Sequence, residues 1–170
     1  MTRVDPPTQG DERTLLVAYL DYQRETLRLK AGGLDPEQWA TPCPPSDMTL
    51  GGMVKHLALV ENSWLRDVFL GQGLSEPWAS NDWDADPDWE WRTGAQEGPE
   101  PVWALYDETI ADVDTVIAGA NLDDLSAKPS HRSGEPFSLR WILLHLIEEY
   151  ARHNGHADLI REAVDGQVGE

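Results

Sequence analysis

Cysteine is almost missing from this chain: Cys43 stands alone among 170 residues. No internal disulfide can form and no thiolate cluster can be built within one chain, so a bound metal must rely on His, Asp or Glu. Basic residues are scarce too, 13 Lys and Arg against 31 Asp and Glu, for a formal charge of −18. Such a surface repels phosphate backbones and anionic lipid, which argues against nucleic acid as a partner. Long apolar runs are also lacking. Nothing approaches the roughly 20 apolar residues of a membrane span, and residues 1–10 have no apolar stretch of the kind a secretory signal needs. The expectation is a soluble, cytoplasmic protein with no membrane partner.

Hydrophobic residues make up 40% of the chain, enough for one core, and eight of them are Trp. We expect a disordered leader over 1–10 and a single domain over 11–170. Asp11 can cap a helix carrying Leu16, Tyr19, Leu20 and Leu27 at helical spacing until Gly32-Gly33 stops it. Asp35-Pro36 opens a short helical turn, and the Pro-rich Thr41 to Ser46 connector cannot continue it. A second long helix is expected from about Thr49 to Leu70, with His56 at the edge of a wide apolar stripe. Residues 71–101 differ in character. They are rich in Gly, Pro, Asp and Glu, with Trp78, Trp83, Trp89 and Trp91 scattered without period. A connection this long is a functional cover or disordered, and the tryptophans argue that it is packed down. A third helix is expected from about Pro101 to Ala118, then a polar loop, then a last helix from Ser138 to about Val164. Four long helices and no convincing period-2 strand give an all-α fold, a four-helix bundle with a long, Trp-rich, acidic connection between helices two and three.

The last helix carries an unusual polar line. His145, Glu149, His153 and His156 fall within one sector of the helical wheel, beside Ile142, Leu146 and Tyr150. Positions four apart on a helix are neighbours, so the Glu149 carboxylate and His153 imidazole converge on one point. If His56 reaches in from a facing helix, two histidines and a glutamate assemble, the kind of three-ligand set that leaves catalytic zinc an open position. Spacing alone also fits a Glu149–His153 ion pair on a solvated face. His145 reads as a donor behind the ligands or as a histidine satisfied by the core, and His156 as a group that orients substrate or hydrogen-bonds a ligand. Trp64 and part of the 78–91 cluster read either as core packing or as the wall of a pocket over the metal. Cys43, between prolines and without a paired base, reads as a small packed hydrophobe.

The segment Leu50-Gly-Gly-Met-Val-Lys-His56-Leu-Ala-Leu-Val-Glu-Asn-Ser-Trp64 and the segment from Ser138 through Glu149 and His153 to His156-Ala-Asp together resemble the DinB-like family of four-helix-bundle metalloproteins. That family includes the metal-binding domain of mycothiol-dependent maleylpyruvate isomerase and several thiol S-transferases. The resemblance implies His56, Glu149 and His153 as metal ligands. Many relatives have histidine where Glu149 stands, and the isomerase-like branch has glutamate. It also implies zinc or nickel as cofactor, a low-molecular-weight thiol as co-substrate, and a homodimer as one form of assembly. The function so implied is a metal-dependent enzyme transferring a small, mycothiol-like thiol to a small electrophilic substrate. Its alternatives are a metal-dependent hydrolase using water, and a non-catalytic, stress-associated metal-binding bundle.

Overall fold

The computed structural model describes residues 3–169. Its helices are α1 (Glu12–Ala31), α2 (Pro36–Trp39), α3 (Leu50–Asn62), α4 (Trp89–Glu97), α5 (Pro99–Gly119) and α6 (Leu139–Asp165). Their starts follow local chemistry. The side chains of Asp11, Asp35, Thr49 and Ser138 each accept a hydrogen bond from a backbone N–H of the first turn, and α6 ends on Gly166 at φ 79°. The long helices α1, α3, α5 and α6 pack around one core. Leu20 and Leu27, Met53 and Leu57, Val102 and Val113, and Ile142 and Leu146 are all fully buried there. Each such side chain contributes about 1.5–3 kcal/mol relative to exposure. No helix among the described residues is long and apolar enough to cross a membrane.

A buried polar node ties these four helices together. Arg24 of α1 grips Glu61 of α3 through two hydrogen bonds, Nε to Oε1 and Nη2 to Oε2, both 2.7 Å. Arg24 also reaches Asp114 of α5 at 2.9 Å. Tyr106 of α5 and Tyr150 of α6 share a 2.7 Å hydroxyl–hydroxyl hydrogen bond. Burial, reinforced by the nearby Glu61 charge, pushes both phenols up, so they stay neutral hydrogen-bonding groups.

The structure corrects the sequence reading in three places. The second long helix is α-helical only to Asn62 and continues as a π-helical stretch, Ser63–Phe69. The polar loop after α5 contains two short antiparallel strands, β1 (Leu125–Pro129) and β2 (Pro136–Ser138). Ser126 Oγ, accepting from Phe137 N at 2.9 Å, helps hold them. Their residues lack alternation because Leu125 faces solvent and only Ser126 of β1 is buried, so no period-2 signal exists to read. Finally, the connection holds a 3₁₀ turn (Trp78–Ser80) and the whole of α4. The leader is described from Arg3 onward and runs beside α1, where Arg3 donates to Thr26 Oγ1 at 3.0 Å; Met1 and Thr2 lie outside the described residues.

The approach of α4 to α3 depends on missing side chains. A Cβ on Gly94 would stand 2.5 Å from the Gly51 carbonyl oxygen, and one on Gly52 would stand 2.6 Å from that of Trp91. The buried Trp39 indole donates to the Gly94 carbonyl at 2.8 Å across this contact. Buried Lys55 of α3 adds bonds to Thr93 Oγ1 (2.8 Å) and Glu97 Oε1 (2.7 Å) and lies over the Trp89 ring. Gly94→Ala therefore meets backbone that cannot turn aside. We expect it to cost about 1–3 kcal/mol. At roughly 2–4 °C per kcal/mol for a chain of this size, thermal unfolding resolves that loss, and an unchanged midpoint shows that the contact is looser than described.

Candidate metal centre

Glu149 stands between two imidazoles of its own helix. Its Oε1 is 3.4 Å from His145 Nε2, and its Oε2 is 3.7 Å from His153 Nε2. This is what the i, i+4 spacing of α6 dictates. Across the helix boundary, the His56 ring of α3 meets the His153 ring edge-on, with centroids 5.1 Å apart. The structure thus brings His56 to His153 and His153 to Glu149. The three side chains whose donor atoms already lie within 4.8 Å of one another are a different set: His145, Glu148 and Glu149. All three sit on α6. Glu148 is exposed and paired with Arg152, so that set faces solvent on one side.

His153 is the most enclosed of the group, 8% exposed, and its Nδ1 has no hydrogen-bond partner among the described residues. Burial, helped by the neighbouring His56 and His156 rings and by Arg152, pulls its pKa down to about 4. The ring is therefore neutral at pH 7 and offers a lone pair. His156 lies one ring further, its centroid 5.5 Å from that of His153, and its Nδ1 is likewise buried without a partner. Trp64, on the π-helical stretch, packs against His145 (4.7 Å), Phe137 (5.1 Å) and Trp141 (5.3 Å). Asp158, further along α6, pairs with Lys30 of α1 at 2.5 Å.

The residue that sequence reasoning missed is Glu90 of α4. Its Oε1 lies 3.0 Å from His56 Nδ1, its side chain is buried, and its Oε2 has no hydrogen-bond partner among the described residues. Next to it, Trp91 stacks on the His56 ring at 4.5 Å and approaches His153 at 5.8 Å. The available signal was Trp89-Glu90-Trp91 itself: a carboxylate bracketed by two large apolar residues is carried inward with them. Trp91 also walls a cleft of about 790 Å³ shared with Met48, Thr49, Asp88, Arg92 and Gln96.

The donor set suits a divalent cation. It combines imidazole and carboxylate, the nitrogen and oxygen donors that zinc and nickel accept, and one of its ring nitrogens, His153 Nδ1, is buried without a hydrogen-bond partner among the described residues. No curated protein matches the chain. The family model of the mycothiol-S-transferases matches residues 15–166, nearly its whole length. With the DinB-like segments around His56 and Glu149 inside that match, the chain belongs to the mycothiol-S-transferase family.

Proposed function

We propose that this protein transfers a small, mycothiol-like thiol to a small electrophile at a divalent metal, zinc or nickel, held by His56, Glu149 and His153. One observation carries the choice of ligands: His153, neutral, buried and unpartnered at Nδ1, meets His56 from another helix on one side and Glu149 on the other. The set of His145, Glu148 and Glu149 is the weaker seat. It comes from one helix only, and Glu148 is already engaged by Arg152 in solvent. The packing of α1, α3, α5 and α6 about one core supports the four-helix bundle that the family resemblance implies.

A divalent ion in that place supplies a Lewis acid that lowers the pKa of a thiol, so that its nucleophilic anion exists at neutral pH. The chain's own groups do the rest. Glu149 adds one negative charge that two imidazoles do not. Trp91 covers His56 and keeps water from that face, while the adjoining cleft is large enough for a small thiol and its acceptor. His145, partly exposed and with its Nε2 3.4 Å from Glu149, is the group proposed to take the proton that the thiol releases.

The test combines elemental analysis with turnover. Purified protein is expected to hold one equivalent of metal and to consume thiol and a model electrophile in equal amounts; chelation stops this and zinc or nickel restores it. Cleavage of model esters at the same rate without thiol favours hydrolysis. Protein that takes up no divalent ion removes both readings and leaves a non-catalytic bundle.

A further inference from the structure

We infer that Glu90 is a positioning residue for His56, delivered to the site by the Trp-rich connection. The inference rests on the metal reading above. An ionised carboxylate has only lone pairs to offer, so in the 3.0 Å contact between them His56 Nδ1 donates and Glu90 Oε1 accepts. A neutral imidazole with its proton on Nδ1 carries its lone pair on Nε2, at the other side of the ring. Glu90 thereby selects the tautomer and, with Trp91 stacked on the same ring, fixes the plane in which that lone pair points.

Packing alone does not account for Glu90. Its side chain is 5% exposed, and one of its oxygens has no hydrogen-bond partner among the described residues. A buried carboxylate with a single hydrogen-bond partner costs more than an apolar residue of similar volume. A nearby cation reverses that balance, because the charge then contributes to holding the ion through the histidine. The position of Glu90 in turn depends on the α3–α4 clasp at Gly51, Gly52 and Gly94. The connection is accordingly part of the site as well as a cover over it.

Two measurements test this. The first needs no variant: nitrogen-15 spectra of the metal-free protein, with His56 assigned through its side chain, should show the proton on Nδ1. A proton on Nε2 overturns the inference. The second is metal affinity by chelator competition with zinc, alongside the cobalt(II) spectrum. Glu90→Leu should weaken binding roughly 10–100-fold and shift His56 toward the Nε2–H tautomer, as loss of a histidine's orienting partner does in other sites. Glu90→Gln, whose amide oxygen can still accept from Nδ1, should keep most of the affinity, and it carries the comparison if Glu90→Leu does not fold. Wild type and Glu90→Leu binding one equivalent equally tightly sinks the role of Glu90 and leaves the metal reading intact. Wild type binding no ion sinks both.

Discussion

Replacing Arg24 by Met is expected to destabilise the protein by about 3–5 kcal/mol, the usual effect of stranding one partner of a buried ion pair. The reason lies in who depends on whom. Arg24 has alternatives: Asp21 and Asp114, both largely solvent-exposed, also bond it at 3.0 and 2.9 Å. Glu61 is fully buried, and its two oxygens are both taken by Arg24. Without the guanidinium, a carboxylate is left in the core near two tyrosines that cannot neutralise it. A loss of this size is a large part of the 5–15 kcal/mol that holds a typical domain together. Denaturant unfolding measures it. The double variant Arg24→Met, Glu61→Leu should regain most of the stability, since apolar replacements of a whole buried pair are often neutral. A single variant within 1 kcal/mol of wild type contradicts the buried pairing.

His153→Ala should take the metal content from one equivalent to none. It removes the one ligand that is both enclosed and neutral, and it separates His56 from Glu149. Linkage gives a second readout. An ion present at about a thousand times its dissociation constant stabilises the fold by roughly 4 kcal/mol, so adding metal should raise the unfolding midpoint of wild type and leave that of His153→Ala where it was. Glu148→Gln is the control and should behave as wild type. The reverse pattern, with metal kept by His153→Ala and lost by Glu148→Gln, transfers the seat to His145, Glu148 and Glu149.

The helix starts were legible because a single side chain decides each: Asp11, Asp35, Thr49 and Ser138 cap where their chemistry says they should. The line from His145 to His156 was legible for a similar reason, since spacing within one helix fixes which side chains are neighbours. What spacing cannot convey is contact between elements. Glu90 meets His56 across 34 positions of chain, through a nine-residue helix too short to stand out within a connection rich in Gly, Pro, Asp and Glu. The π-helical turn was hidden as well, because Leu65 and Phe69 keep their apolar character in either geometry and only the hydrogen-bond ladder changes. The hairpin's weak pattern has a comparable origin, in strands too short and too exposed to alternate.

Trp91 lies face to face with His56, ring centroids 4.5 Å apart. The emission of an excited indole depends on the groups packed against it, and here one of them is an imidazole whose electrons a bound ion would redistribute. The part of the tryptophan emission that Trp91 contributes, found by comparison with Trp91→Phe among the eight tryptophans, should thus follow the filling of the site without any dye.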